Sequence, residues 1–398
     1  MIAKKIQDAL SGGSAIRDAF AYGRQLAAEV GEENVFDFSL GNPATPAPAR
    51  FGEAIKEIID QEDPVAIHGY MDNSGYPDVR AAIAQDLNER FNTHFEWKNI
   101  IMSVGAGGAL NVTLNTIIDP GDEVIVFAPY FSEYDHYINN YNGKIVVVSP
   151  NTETFQPNLE EFESKITCKT KAIIINTPNN PSGAVYSKET IQAIAEILKK
   201  KQLELNKEIY MISDEPYREL LYDGAVHTFV TNYYDNAFVC YSYSKSLSLP
   251  GERIGYIAAP NAMADVETVL RGLQTSTRIM GFVNAPSLIQ KGVKACIKES
   301  TDIAYYDRNR KTLYEGLTKM GFECVKPQGA FYLFLKSPVA NESEFCEKAK
   351  KYHLILVCGS AFCCPGYVRI TYCNSLEKIQ RSLPQFEKLA NEYGLSAK

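Results

Sequence analysis

Paired cysteines, an excess of basic residues and long apolar runs are all missing from this sequence. Its nine cysteines form no C-x-x-C pair and show no cysteine–histidine spacing suited to zinc, so we expect no metal site. The formal net charge of −8 argues against a nucleic-acid partner, since such proteins usually carry a basic excess. No apolar stretch is long enough to span a bilayer, and the N-terminus lacks the apolar core of a secretory signal. These absences predict a cytoplasmic protein that binds neither nucleic acid nor membrane.

What the sequence does contain is an alternation of short apolar runs with longer helical patterns, most clearly between residues 100 and 259. The runs predict strands at Glu123–Phe127, Lys144–Val148, Lys171–Asn176, Ile209–Ser213, Ala237–Tyr241 and Arg253–Ala259. Helical patterns at Gly108–Ile118 and Ser187–Lys200 lie between them. Because the runs are apolar throughout, they suit strands that are covered on both faces. The pattern therefore predicts an α/β fold with a mostly parallel sheet between helices.

The last part of the chain has a different texture. A long helical pattern is followed by short strand patterns at Ala330–Leu335 and Tyr367–Tyr372 and by a final helix. We interpret it as a smaller α+β domain, since 398 residues exceed the size at which one core stops growing. The predicted division is a large domain of residues 46–285 and a small domain of residues 1–45 and 286–398 with an N-terminal arm.

Polar side chains follow three of the predicted strands at the point where each strand ends. Asp214 follows one strand and Tyr217 lies three residues further on. Asn180 comes soon after a second strand, and Lys245 soon after a third. In an open α/β sheet, ligands bind at the carboxyl ends of the strands. We therefore expect these four side chains to converge on one edge of the sheet.

Four stretches in this order resemble the class I/II aminotransferases that use pyridoxal 5′-phosphate (PLP). They are NTPNNPSG (Asn176–Gly183), ISDEPY (Ile212–Tyr217), SYSKSLSLPGERIGY (Ser242–Tyr256) and YVRI (Tyr367–Ile370). The likeness covers nearly the whole chain and includes SLGNPATPAP near the N-terminus. The resemblance implies the PLP-dependent transferase fold of type I, as in aspartate aminotransferases. It also implies an enzyme of amino acid biosynthesis that moves an amino group from an L-amino acid to a 2-oxo acid by a ping-pong mechanism.

The resemblance assigns a role to each residue around the cofactor ring. Lys245 would form the Schiff base with the PLP aldehyde and then carry protons, which suits a lysine whose pKa falls in a partly desolvated, cationic site. Asp214 would pair with the pyridine nitrogen so that the ring can act as an electron sink. Tyr217 and Asn180 would hydrogen-bond the phenolic oxygen. Phe131 would stack on the ring.

The phosphate of the cofactor needs a cradle of donors. The expected cradle consists of Ala106, Gly107, Gly108, Ser242, Ser244 and Arg253. The first three open a helical pattern, and the free N–H groups at a helix start bind anions, while Arg253 can bind phosphate in a bidentate way. By resemblance, Tyr70 would reach the phosphate bound by the neighbouring subunit, which implies a homodimer with shared active sites.

The substrate is expected to be held by Arg369, because an arginine in an otherwise apolar strand is costly without a partner, and the α-carboxylate can supply one. Asn180 and Gly41 would also contact the substrate, Gly41 by letting the backbone come close. A common bacterial aspartate-specific pattern places a lysine where this sequence has Gly107. Arg278 lies near the position of a side-chain-reading arginine from the partner subunit in another branch. Aspartate or glutamate is the first expectation for the amino donor, and an aromatic or apolar amino acid is the alternative.

Two other functions stay open at this point. A PLP-dependent lyase or decarboxylase would use the same lysine, aspartate and arginine, because fold does not determine the reaction. A PLP-sensing regulatory module is the weaker alternative, since such proteins carry an attached DNA-binding domain and no basic helix-turn-helix segment precedes these motifs.

Overall fold

A computed structural model describes residues 2–395 as helices alternating with strands. The helices are α1 (Lys4–Gly12), α2 (Ala15–Val30), α3 (Ala49–Gln61), α4 (Pro64–His68), α5 (Pro77–Phe91), α6 (Gly105–Ile117), α7 (Glu133–Asn139), α8 (Leu159–Lys165), α9 (Lys188–Leu205), α10 (Tyr243–Ser246), α11 (Val266–Ile279), α12 (Ser287–Ala295), α13 (Ile303–Lys319), α14 (Glu342–Lys350) and α15 (Leu376–Glu392). The strands are β1 (Phe36–Asp37), β2 (Ile100–Ser103), β3 (Glu123–Phe127), β4 (Lys144–Val148), β5 (Thr170–Asn176), β6 (Tyr210–Asp214), β7 (Ala237–Ser242), β8 (Gly255–Ala258), β9 (Glu323–Cys324), β10 (Tyr332–Lys336), β11 (Leu354–Ile355), β12 (Val357–Cys358) and β13 (Tyr367–Thr371).

The main sheet has seven strands in the order β2-β8-β7-β6-β5-β3-β4. Six of them run in the same direction, and β8, which lies between β2 and β7, is antiparallel to both of these neighbours. Successive residues of β5 and β6 enter two different hydrophobic cores, Ile173 and Met211 on one face, Ile174 and Ile212 on the other. Both faces are therefore covered, which is why these strands are apolar throughout. The predicted mostly parallel α/β sheet is confirmed.

A second, four-stranded sheet is antiparallel and has the order β12-β13-β10-β9. Its core includes Phe331, Leu333 and Leu335, and it also takes up Phe36 and Phe38 from the N-terminal part of the chain. Beside this sheet, β1 pairs in parallel with β11. A smaller α+β unit beside the main sheet is thus confirmed, while the division of the chain at residues 46 and 285 stays a prediction.

Some elements differ from their predicted form. The long helical pattern expected after residue 285 is two helices, α12 and α13, and the second starts where the Asp302 carboxylate accepts a hydrogen bond from the Tyr305 N–H. Helix α6 begins at Gly105, three residues before the predicted start at Gly108. Strand β2 was not predicted, although its residues form a short apolar run, IIMS.

Within residues 2–395, no helix is both long enough and apolar enough to cross a bilayer. Over the same residues, no group of three or more histidine, cysteine, aspartate or glutamate side chains could hold a metal ion. The nine cysteines are all free thiols.

Candidate active site

One cavity of about 290 Å³ opens at the carboxyl ends of the central strands. Twelve residues that the sequence predicts for the site line it: Gly41, Ala106, Gly107, Phe131, Asn180, Asp214, Tyr217, Ser242, Ser244, Lys245, Arg253 and Arg369. Because parallel strands end on the same edge, residues that are far apart in the sequence meet here. Asn176 and Asp214, for example, are the last residues of β5 and β6 and are paired in register.

Lys245 lies on the short helix α10, directly after β7. The hydroxyl of Ser242, the last residue of that strand, caps the helix by accepting a hydrogen bond from the Ser244 N–H. The Lys245 Nζ donates to the carbonyl oxygen of Gly41 at 2.5 Å. Burial lowers the pKa of Lys245 to about 8, and the positive charges of Arg253 and Arg369 act in the same direction. An appreciable fraction of the amine is therefore unprotonated near neutral pH and can act as a nucleophile or a base.

Asp214 is a buried carboxylate with one oxygen satisfied and one free. The Tyr134 hydroxyl donates to Oδ2 at 2.5 Å, whereas Oδ1 has no hydrogen-bond partner among residues 2–395. Burial raises the pKa of Asp214 to about 7; the Tyr134 hydrogen bond opposes this shift and the charge of Glu215 adds to it. A buried acceptor without a partner is rare in native proteins. Its position in the cavity wall suits a ligand N–H group.

Arg369 is a buried cation without an anionic partner. It lies on β13 and is 1% exposed. Its guanidinium donates to Asn180 Oδ1 at 2.9 Å and to the Ser39 carbonyl oxygen, while Nε has no acceptor within the described chain. The Tyr332 ring lies 4.6 Å from the guanidinium carbon. Burial lowers the pKa of Arg369. A buried charge of this kind is costly unless a ligand carboxylate pairs with it.

Tyr217 and Tyr332 form a pair of buried phenols at the cavity, with their hydroxyl oxygens 2.8 Å apart. Burial raises the pKa of Tyr217 well above its ordinary value. Gly41 lies against the same pair, because a Cβ at this position would be only 2.1 Å from the Tyr332 hydroxyl. The close approach that the sequence predicted at Gly41 is therefore, in the structure, an approach to Tyr332.

The start of helix α6 and three side chains form an anion cradle. Ala106 and Gly107 lie in the first turn, where backbone N–H groups have no partner inside the helix. The hydroxyls of Ser242 and Ser244 lie 2.7 Å apart. Arg253 contacts the helix start at Gly105, which has φ +77°, and a Cβ at Gly105 would lie 2.8 Å from the guanidinium. This combination of helix dipole, hydroxyls and guanidinium suits a phosphate group.

Three predicted residues do not line the cavity. Gly108 is one turn inside α6, and a Cβ there would lie 2.5 Å from a Val104 methyl group, so in this structure its small size serves packing. Tyr70 is 91% exposed. Arg278 is exposed near the end of α11. For the last two, a role in the partner subunit's site stays a prediction.

The structure adds cavity residues that the sequence analysis did not assign to the site: Ile16, Leu40, Leu110, Tyr137, Asn176, Pro216, Pro250 and Tyr332, with Tyr134 behind Asp214. Asn176 could have been found, because it ends a predicted strand inside a quoted motif. Its side-chain oxygen accepts from the Asn180 N–H at 2.7 Å, and its amide donates to the Asp214 carbonyl oxygen at 2.9 Å.

Comparisons with known proteins point to one family. The family model described as aminotransferase class I and II matches residues 33–383. The chain is 31% identical to an aspartate aminotransferase of Thermotoga maritima, covering 90% of this chain and 92% of that protein. It is 33% identical to a probable aspartate/prephenate aminotransferase of Aquifex aeolicus, again covering 90% and 92%.

Solved structures agree with these sequence relatives. An amino transferase from Eubacterium rectale is 46% identical, covers 99% of both chains and superposes with a TM-score of 0.96. The aspartate aminotransferase of Thermus thermophilus with maleate is 26% identical, covers 98% of this chain and 99% of that chain, and has a TM-score of 0.86.

Proposed function

The chain belongs to the class I and II aminotransferases, and we propose that the cavity around Lys245 is where it moves amino groups. The protein is a PLP-dependent transaminase that passes an amino group from an L-amino acid to a 2-oxo acid in a ping-pong reaction. The lyase, decarboxylase and sensing alternatives are not favoured, because the relatives and neighbours described above are aminotransferases.

One observation carries the assignment of the site. An amine of lowered pKa, a buried carboxylate oxygen without a donor and a buried guanidinium without an anion line the same cavity, on Lys245, Asp214 and Arg369 respectively. These groups fit PLP and an amino acid. The amine suits the aldehyde, the free Asp214 Oδ1 suits the pyridine N–H, and the guanidinium suits the α-carboxylate.

The roles of the residues follow from the chemistry of these groups. When bound, PLP supplies an electron-withdrawing ring that makes the α-proton of the amino acid acidic. Lys245 Nζ would take that proton from the α-carbon of the amino acid and hold it for later release, so it would serve first as base and then as acid. Asp214 holds the pyridine nitrogen in its protonated form, while Tyr217 and Asn180 hydrogen-bond the phenolic oxygen. Arg369 fixes the α-carboxylate and so orients the α-proton towards Lys245.

Around this centre, the anion cradle of Ala106, Gly107, Ser242, Ser244 and Arg253 holds the cofactor phosphate. Together with Asp214 at the pyridine nitrogen, the cradle would hold the cofactor at two ends. Phe131 covers one ring face. The proposal thus uses the lining residues in the roles that the sequence predicted.

For the amino donor, we favour an aromatic or aliphatic side chain. Besides the charged groups, the cavity lining includes Ile16, Leu40, Leu110 and Tyr137. Gly107 supplies no cation at its position, and a Cβ there would lie 3.1 Å from the Tyr137 hydroxyl. Burial against these residues favours binding of an apolar substrate side chain, whereas a second carboxylate would lose its hydration there at a cost in binding free energy.

An acidic donor is the second candidate. It is supported by the relatives named aspartate aminotransferase and by the neighbour solved with maleate, a dicarboxylate. Burial raises the pKa of Tyr137 to about 12 while the charge of Arg17 opposes that shift, so Arg17 lies within electrostatic reach of the cavity. Arg17 from this chain, or Arg278 from a partner subunit, would then meet the distal carboxylate.

A spectral titration of the holoenzyme with single amino acids tests the reaction and ranks the donors. With no oxo acid present, each donor should convert the cofactor from its aldehyde form to its amine form. We expect L-phenylalanine, L-tyrosine and L-leucine to do so at lower concentrations than L-aspartate and L-glutamate. The reverse order would select the acidic donor. Release of ammonia or carbon dioxide without conversion would contradict transamination.

A homodimer in the cytoplasm completes the proposal. Tyr70 is 91% exposed and Ile279 is 62% exposed, as expected of side chains that a second subunit covers. The free thiols suit a reducing compartment. Light scattering should give twice the mass of the 44.3 kDa chain, and a monomer with full activity would contradict shared active sites.

A further inference from the structure

Tyr134 is a buried tyrosine that the proposed reaction does not use, yet its hydroxyl touches Asp214. The ring is 1% exposed, and its oxygen donates to Asp214 Oδ2 at 2.5 Å. Two neighbouring rings hold it in place: Tyr130 stacks on it with centroids 6.2 Å apart and an interplanar angle of 5°, and Phe131 meets it edge-on at 5.8 Å. The hydroxyl therefore has little freedom to leave the carboxylate.

We propose that Tyr134 is a positioning residue that occupies Oδ2 of Asp214 and so presents Oδ1 to the pyridine nitrogen of the cofactor. The inference rests on the proposed role of Asp214. The observation behind it is that only one of the two carboxylate oxygens of Asp214 has hydrogen-bond donors in the described part of the chain. Besides the Tyr134 hydroxyl, the Asn176 amide lies 3.5 Å from Oδ2, whereas Oδ1 has no partner within residues 2–395.

The second effect of the Tyr134 hydroxyl is electrostatic. Asp214 is faced by Tyr134 and Tyr137 from α7, by Glu215 next to it and by Cys240 from β7. Burial and the charge of Glu215 raise the pKa of Asp214 and favour the protonated carboxyl, whereas the Tyr134 hydrogen bond favours the carboxylate. Without the hydroxyl, Asp214 would keep its proton to a higher pH and would be a poorer acceptor.

The test is the binding of pyridoxine 5′-phosphate to the full-length protein freed of its own cofactor. This probe keeps the phosphate and the pyridine nitrogen but has no aldehyde, so Lys245 cannot attach to it covalently. The dissociation constant is measured from pH 5.5 to pH 9 for the wild type and for Tyr134→Phe. We expect the constant to rise roughly tenfold at pH 7, as for loss of a hydrogen bond to a charged group. We also expect the acid limb of the pH profile to move up by roughly one unit.

Tyr130→Phe is the matched control. It removes a hydroxyl from the adjacent stacked ring, but that hydroxyl donates to Asp135 at 2.9 Å and does not contact Asp214. We expect its pH profile to coincide with that of the wild type. If Tyr134→Phe shifts affinity equally at all pH values, or no more than Tyr130→Phe does, Tyr134 has only a structural role and the inference is wrong.

A double-mutant cycle with Asp214→Asn separates this inference from the proposed function. Tyr134→Phe should have little further effect on the dissociation constant once Asp214 is asparagine. If Tyr134→Phe weakens probe binding as much in the Asp214→Asn variant as in the wild type, the positioning role of Tyr134 is wrong, while the proposed role of Asp214 still stands. If Asp214→Asn by itself leaves probe binding unchanged, the proposed role of Asp214 fails, and the inference fails with it.

Discussion

Two neighbouring groups of charged side chains in this protein differ in whether the protein itself supplies partners for the charges. Directly after Asp214 comes a paired cluster, which we define as Glu215, Arg218, Glu219 and Arg90. Arg218 lies 3.2 Å from Glu215 and 3.2 Å from Glu219, and Glu219 also pairs with Arg90. Each charge in the paired cluster therefore has a protein partner.

In the cavity, Asp214, Lys245 and Arg369 form no ion pair with any residue of the described chain 2–395, although two of the three are almost fully buried. The consequence is visible in the pKa values. Burial acts to raise the pKa of Glu219, but its arginine partners outweigh burial and hold the value at about 2. In the cavity, burial is the larger effect: it raises the pKa of Asp214 to about 7 and lowers the pKa of Lys245 to about 8. Charges left unpaired by the protein are thus available to ligands and protons.

The largest effect should come from Lys245→Ala. The variant removes the base and acid for the α-proton, and general acid–base catalysis contributes roughly 10²–10⁴-fold to rate. We therefore expect at least that loss of turnover with any amino acid. In addition, borohydride treatment should fix the cofactor covalently to the wild type but not to the variant, as mass spectrometry would show. Normal turnover or a covalent adduct in the variant would contradict the assignment.

Arg218→Met breaks the paired cluster and should cost the most stability. The arginine is fully buried, and its loss leaves Glu215 and Glu219 with fewer partners. Removing one partner of a buried ion pair typically costs about 3–5 kcal/mol of unfolding free energy. Urea unfolding measures it, with Arg271→Met as the control, since that arginine is exposed on α11. A loss no larger than that of the control would mean that the cluster does not stabilise the fold.

Asp214→Asn tests the unpaired carboxyl by its pH dependence. The folded pKa of about 7 lies above the ordinary 3.8, so the folded state holds this proton more tightly than the unfolded state does. Stability of the cofactor-free protein should therefore fall as the pH rises from about 4 to 7, by at most roughly 4 kcal/mol from this group. The asparagine variant has no such titrating group. Its unfolding free energy in urea should therefore rise relative to that of the wild type over the same pH range. A constant difference between pH 4 and pH 8 would contradict the raised pKa.

The two groups of charges also differ in how far the sequence reveals them. Asp214 and Lys245 could be predicted because they follow apolar strands, lie in recognisable motifs and must meet at one sheet edge. The Tyr134 contact could not, because it joins residues 80 positions apart and depends on how α7 packs over the sheet. The pairing of Arg90 with Glu219 is of the same kind, since the two lie 129 positions apart. Apolar periodicity predicts elements, but it does not say which polar side chains meet between them.

Helix ends show a similar division. Helix α13 begins at a cap formed by Asp302, which the apolar pattern runs across. The start of α6 at Gly105 depends on a glycine at φ +77° beside Arg253, a contact between distant parts of the chain. Gly108 lies one turn further along the helix and does not line the cavity, so its role in the phosphate cradle stays a prediction.

Of the four variants, Arg369→Met should cause the smallest change in free energy. It should weaken substrate binding while changing the stability of the fold little. Loss of a charged hydrogen-bond donor to the substrate α-carboxylate costs about 1.5–3 kcal/mol, which corresponds to a rise in KM of roughly ten- to a hundredfold for every amino acid. Because Arg369 has no anionic partner in the described chain, no buried carboxylate is left unpaired when it is removed. Unfolding should therefore be affected less than by Arg218→Met. An unchanged KM would rule out the carboxylate contact, and a stability loss equal to that of Arg218→Met would show that the cavity charges are structural after all.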